Sequence, residues 1–142
     1  MLKVNFYNSV EDGLLKFAVI VAQSEGKWVL CKHKERNTYE FPGGHREAGE
    51  DILTAAKREL FEETGAAEYS IKQVSVYSVA VQDGISREES FGMLYYADIQ
   101  SFDELPNLEI EKIELFDELP DNWTYPEIQP FLLKKINTEI NV

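Results

Sequence analysis

Glu59, Glu62 and Glu63 stand at i, i+3 and i+4 within the stretch GHREAGEDILTAAKRELFEETGA, residues 44–66. On an α-helix of about 3.6 residues per turn that spacing puts three carboxylates on one face, where they can converge on one ion. Left to themselves they repel, each like-charge pair costing about 0.2–0.5 kcal/mol on a helix surface. Thr64-Gly65 reads as the end of the helix, with Gly65 just past it, so the acids also crowd the negative end of the macrodipole. A hard divalent cation relieves both conflicts. Mg²⁺ suits such a place because it takes oxygen ligands, keeps several waters and is completed by substrate phosphates. The bland alternative is a solvated acidic helix face.

The same helix must also pack. At about 100° per residue, Leu53, Leu60 and Thr64 cluster in a narrow arc with Ala56 beside them, and the three glutamates centre a quarter-turn or more away. One stripe is expected to face the core and its neighbour to carry the acids. Ile52 and Ala55 project among the acids, where the short Ala55 leaves room for a ligand.

The flanking residues decide between the two readings. Gly44, five residues, Glu50, seven residues, Arg58-Glu59-Leu60, one residue, Glu62-Glu63, one residue and Gly65-Ala66 match the Nudix box at each fixed position. Ala66 is small where a bulkier apolar residue is common. The preceding TYEFPGG resembles the usual approach to that box, so the close match runs from about residue 39 to residue 66. The chain therefore resembles the Nudix hydrolase family. That resemblance implies an α/β fold, an α/β/α sandwich with a mixed β-sheet between helices, and water attack at phosphorus on a pyrophosphate bond of a nucleoside diphosphate derivative.

By the same resemblance, Glu59, Glu62 and Glu63 hold Mg²⁺, or Mn²⁺ in its place, and Glu50 binds metal directly or through water. Gly43 and Gly44 bend the loop and bring the Gly44 backbone near the metal. Arg58 orients the box carboxylates by ion pairing, as a bidentate guanidinium can. Family members commonly add a carboxylate from the loop before the last strand. Glu109 and Glu111 are the candidates, Glu111 preferred, and the general base is divided between Glu59 and this loop. Glu47 has either a water-linked role or simple exposure. His33 and His45 lack zinc-ligand spacing and read as surface or substrate-edge residues.

Composition agrees with one small enzyme domain. The 142 residues suffice for one core, and the 44% hydrophobic fraction is that of a globular protein. A net charge of −12 argues against a nucleic-acid polymer or an anionic membrane as partner, since both bind basic surfaces. A nucleotide that arrives as its magnesium complex is not excluded. Cys31 is the single cysteine, so no intramolecular disulfide forms; it reads as a packed small residue. Residues 1–10 show no leader pattern and no apolar run is long enough to span a bilayer, so the expected location is the cytoplasm. Homodimers are common among similar proteins.

Strands are expected over 15–22 and 27–33, separated by Ser24-Glu25-Gly26, with a short extended piece at 39–41. The box helix spans 51–64. Strands over 70–82 and 90–99 flank the polar loop DGISREE, and neither alternates cleanly, which suggests a sheet covered on both faces. A last strand is expected over 112–116 and a turn at 117–119. Pro126 or Pro130 opens a C-terminal helix with Leu132, Ile136 and Ile140 as its buried face.

Substrate choice rests on the loops around the box. TYEFPGG resembles the branch acting on nucleoside triphosphates, including oxidised guanine nucleotides, which implies a triphosphate cleaved to monophosphate and pyrophosphate. Tyr39 and Phe41 are candidates for base stacking and Arg87 for a phosphate contact. Two alternatives stand beside this: a pyrophosphatase acting on a nucleotide sugar or dinucleoside polyphosphate, and a regulator that binds a nucleotide without cleaving it.

Overall fold

The apolar runs LLKFAVIVAQ and GMLYYADI lie side by side at the centre of one mixed sheet, in a computed structural model that describes residues 1–140. The strands are β1 (Leu2–Tyr7), β2 (Leu15–Ser24), β3 (Lys27–His33), β4 (Gly43–His45), β5 (Ala66–Asp83), β6 (Ser86–Phe102) and β7 (Ile110–Phe116). Among the described residues two α-helices, α1 (Ile52–Thr64) and α2 (Gln129–Glu139), flank the sheet. The order across the sheet is β1-β5-β6-β2-β3-β7, with β4 also beside β2. β2 and β6 run parallel and the other named pairs antiparallel.

Both faces are covered, which is why the central strands read as continuous apolar runs. On one face α1 packs Ile52, Ala56 and Leu60 against Ile20, Ala22, Met93 and Ala97. On the other, Leu132, Leu133 and Ile136 of α2 meet Val21, Leu30, Tyr77 and Leu94. α2 has Pro130 in its first turn but no side-chain N-cap, so its docking rests on those buried side chains. Each contributes about 1.5–3 kcal/mol on full burial. Ile140 caps the helix from outside, half-buried.

β2 parts from β3 midway. Ala22 to Ser24 pair with β3, whereas Phe17 to Val19 pair with β4. The chain before β4 wedges into the opening: Glu40 exchanges backbone hydrogen bonds with Cys31 at 2.8 and 3.0 Å, and Ile20 N–H reaches Pro42 O at 2.9 Å. Cys31 is fully buried there, as expected, with burial pushing its thiol up. This wedge delivers Gly43 and Gly44 to the foot of α1.

Some boundaries differ from expectation. β1 lies outside the expected strands, although Leu2, Val4 and Phe6 alternate with Lys3 and Asn5. DGISREE is not a loop. Its residues pair across β5 and β6 as far as Asp83 and Ser86, leaving a two-residue turn with φ of 63° at Gly84, the glycine-first type II′ geometry that suits twisted strands. No described helix is long and apolar enough to cross a membrane.

Candidate active site

α1 begins where Asp51 accepts a hydrogen bond from Thr54 N–H at 2.7 Å, and ends at Gly65 in the left-handed region, φ 75°. Its buried face is Ile52, Ala55, Ala56, Leu60, Glu63 and Thr64. The expected stripe is therefore corrected: Leu53 is exposed, and Ala55 is core rather than a space for ligand. Glu63 sits in the middle of the buried face because that face meets β4 at its C-terminal end. There Gly43 N–H donates to Glu63 Oε1 at 2.8 Å. Gly44 passes so close to Glu59 that a Cβ would overlap the carboxylate.

Arg58 organises the other acids. Its Nε donates to Glu50 Oε2 at 2.7 Å and its Nη2 to Glu50 Oε1 at 2.9 Å, a bidentate pair. Nη2 also donates to His45 O at 3.0 Å, and Nη1 lies 3.3 Å from Glu62 and 3.4 Å from Glu59. The loop helps, since Glu47 N–H donates to Glu50 Oε1 at 3.0 Å. The Glu47 carboxylate itself is exposed and 3.9 Å from Arg58.

These environments drive the carboxyls apart. Hydrogen bonding from Arg58, then from the Glu47 backbone, holds Glu50 down at about 2. Burial pushes Glu63 up to about 8, against the Gly43 hydrogen bond and with help from Glu59, Glu40 and Glu109. Glu59 is pushed up to about 7, again chiefly by burial, with Arg58 opposing and Glu62 reinforcing. The loop acid Glu50 and the helix acids Glu59 and Glu63 thus occupy opposite electrostatic situations.

The site opens as a charged cleft of about 610 Å³, lined by Glu59, Glu62, Glu63, Glu109, His33 and Arg58 among others. Among the described residues no three acidic, histidine or cysteine side chains already stand at ion-holding distances. Arg58 and Gly43 hold the carboxylates instead. The donor set still fits a hard cation: the acids offer only oxygen, and the charge on half-buried Glu59 and buried Glu63 is costly without a positive neighbour.

Several expected site residues fall elsewhere. Glu111 is paired to Lys32 Nζ at 2.9 Å and does not line the cleft, whereas Glu109 does, 3.9 Å from His33. Glu109 precedes β7, and the register shifts between Lys32 and His33, which pair with Lys112 and Ile110, so the two acids do not share the face that alternation would give them. Tyr39 gives its hydroxyl to Glu114 at 2.9 Å and packs edge-on against Phe116, away from the cleft. Arg87 pairs with Glu89 on the exposed hairpin and lines neither cavity. Phe41 is buried between Trp28 and Trp123 and reaches only the wall of a second cavity.

That second cavity, about 360 Å³, is largely apolar, with Phe17, Val19, Tyr77, Val79 and Ile128 in its wall. It shares Glu40, Gly43, Gly44, His45 and Tyr125 with the charged cleft, so the two adjoin. Gln129 closes it from α2, accepting from Phe41 N–H at 2.7 Å. His33 has Nε2 3.7 Å from Glu40 and 3.9 Å from Glu63. Arg36 and Tyr125 carry no motif, and Glu40, although the acid of TYEFPGG, is not marked there as a site residue. The three meet only through the wedge and the segment before α2.

The family profile described as NUDIX domain matches residues 14–132. The Bacillus subtilis (strain 168) protein YtkD, named provisionally as an 8-oxo-dGTP diphosphatase, is 34% identical over 120 residues, 84% of this chain and 73% of that protein. The crystal structure of the Bacillus subtilis pyrophosphohydrolase BsRppH, a glutamate-to-alanine mutant, superposes with a TM-score of 0.79 at 29% identity, covering 96% of this chain and 90% of that one. The NUDIX domain of Shewanella oneidensis NrtR, solved with ADP ribose, shares the fold at a TM-score of 0.66 and 15% identity, over 87% and 86% of the two chains. With its intact box on an α/β/α sandwich, the chain belongs to the Nudix family and is a Nudix hydrolase.

Proposed function

We propose that this hydrolase cleaves a nucleoside triphosphate to the monophosphate and pyrophosphate, with oxidised purine nucleotides among its substrates. The observation that carries this reading is the junction of the two cavities. An acid-lined cleft suited to a metal-bound polyphosphate runs into an apolar, aromatic cavity of a size for a heterocyclic base. The provisional name of YtkD points the same way.

In this reading Glu59, Glu62 and Glu63, with Glu50 beside them, hold Mg²⁺ or Mn²⁺ near the Gly44 backbone. Such an ion, when bound, neutralises phosphate oxygens and makes a bound water more acidic. Arg58 keeps Glu50, Glu59 and Glu62 in register. Glu59 or Glu109 takes the proton of the attacking water, and Phe17 and Tyr77 replace Tyr39 as contacts for the base. A free, buried Cys31 accords with a reducing, cytoplasmic setting.

The test is a product analysis with Mg²⁺ across ordinary and oxidised triphosphates, nucleotide sugars, dinucleoside polyphosphates and a 5′-triphosphorylated oligoribonucleotide. Pyrophosphate release from free triphosphates supports the reading. Turnover restricted to any of the other three classes overturns it.

A further inference from the structure

Three arginines line the charged cleft, Arg36, Arg46 and Arg58, and two of them are spent. Arg58 is taken by Glu50, by the His45 carbonyl and by the box acids. Arg46 donates Nη1 to Asp12 Oδ2 at 3.0 Å and Nη2 to Asp12 O at 2.6 Å, and its side chain is 13% exposed. Among the described residues no lysine lines the cleft: Lys32 is bound to Glu111 and Lys34 to Asn107. The imidazoles of His33 and His45 are cationic only when protonated.

Arg36 differs from the other two. Its side chain is 44% exposed, and Nη1 donates to Glu40 Oε1 at 3.1 Å. The Tyr125 phenol adjoins the guanidinium. Beyond Glu40 and Tyr125 the guanidinium has no hydrogen-bond partner among the described residues. Glu40 is 7% exposed, so its buried carboxylate holds the guanidinium in place before any ligand arrives. Glu40 and Tyr125 also line the apolar cavity, which puts Arg36 where the two cavities meet. A chain of phosphates joining a base in one cavity to an ion in the other passes this point.

We infer that Arg36 grips the polyphosphate of the substrate, with Glu40 as its positioning residue. The inference rests on the proposed triphosphate reading and adds a binding residue to it. A guanidinium fixed along one edge by a carboxylate can present its other edge to phosphate oxygens, a geometry that lysine does not reproduce. The competing account is that Arg36 only neutralises buried Glu40.

Steady-state kinetics with Mg²⁺ and a nucleoside triphosphate, and competition by inorganic triphosphate, separate the two accounts. Arg36→Gln should raise KM by about 10-fold or more and weaken inhibition by inorganic triphosphate in parallel, with kcat within about threefold of the parent. Arg36→Lys should fall between. Should Arg36→Gln fold poorly, the double variant Arg36→Gln/Glu40→Gln removes both charges and gives the same readouts. Unchanged KM and unchanged inhibition in the variants overturn the inference. A parent enzyme that turns over no free triphosphate sinks the substrate reading instead, and the affinities for inorganic triphosphate, measured directly by calorimetry on parent and variants, then still decide the role of Arg36.

Discussion

Arg58 reaches back eight positions to hold Glu50 in two parallel hydrogen bonds, 2.7 and 2.9 Å long, tying the loop before α1 to its middle turn. This clamp fixes the carboxylate of Glu50 and, through the remaining N–H groups, the aim of Glu59 and Glu62. Arg58→Lys keeps the charge but loses the fork. We expect kcat to fall by about 100-fold, with secondary structure intact by circular dichroism. A loss below threefold would mean that the acids hold their positions without the clamp.

Acid removes the same clamp. Glu50 is held at about 2 in the folded chain, against about 4.3 unfolded, so the unfolded state binds more protons between those values. The contribution of Glu50 to stability is complete above about pH 4.5 and is lost as pH falls towards 2. Arg58→Gln should therefore cost more stability at pH 6 than at pH 3. Melting curves of parent and variant that keep the same gap at pH 3 and pH 6 would count against the clamp.

Glu63 has the opposite sign. Pushed up to about 8 by burial, it makes the folded state bind more protons than the unfolded one from about pH 4.5 upwards, so stability falls as pH rises through that window. Glu63→Gln retains the acceptor for Gly43 N–H and removes the buried charge. In chelator at pH 8 it should be more stable by on the order of 3 kcal/mol, and at pH 4.5 no more stable than the parent. The same change should abolish turnover, the trade expected where function keeps a destabilising group. Equal melting temperatures at both pH values would refute the burial argument.

Mg²⁺ should reverse that destabilisation in the parent. An ion that binds only the folded chain raises its melting temperature, and protons compete with it for Glu59 and Glu63, so the gain should grow from pH 6 to pH 8. Glu63→Gln should show a much smaller gain. A parent that melts identically with millimolar Mg²⁺ and with chelator at pH 8 would remove the metal assignment.

What could be read from the sequence follows how local each determinant is. The acids Glu59, Glu62 and Glu63, their helix and its end at Gly65 lie within one short segment and are related by spacing, whereas the roles of Glu50 and Arg58 in that segment come from the family resemblance. The packing stripe was misjudged for the same reason: a helical projection does not know that the wedge of residues 39–45 lies under Glu59 and Glu63, which makes acids part of the buried face. Arg36, Glu40 and Tyr125 come together only because β2 and β3 part. No periodicity records that. The polar DGISREE hid a strand pairing because hairpin ladders are held by backbone bonds, which side-chain polarity does not report.

Glu109 and Glu111 offer a direct comparison, since they are two residues apart and chemically identical. Glu109 lines the cleft near His33, whereas Glu111 is paired to Lys32 outside it. Glu109→Gln should lower kcat by about 10-fold or more, while Glu111→Gln leaves it within about twofold. The reverse order would return the role to Glu111 and show that β7 shifts when substrate binds.

Gly43 and Gly44 are neighbours whose loss should fail in different ways. A Cβ on Gly43 would run into the backbone of Ala18 and Val19, which cannot move without prising β4 from β2. Gly43→Ala should thus cost about 1–3 kcal/mol in stability and lower the melting temperature by several degrees. The three heavy atoms nearest a Cβ on Gly44 all belong to the flexible Glu59 side chain, which can swing aside at little cost. Gly44→Ala should melt near the parent yet lose most of its turnover, because the carboxylate it displaces is one that the proposed chemistry needs. Melting curves and kcat measured together distinguish the cases. A Gly44→Ala enzyme with parental kcat would mean that Glu59 works from a position other than the one it occupies beside β4.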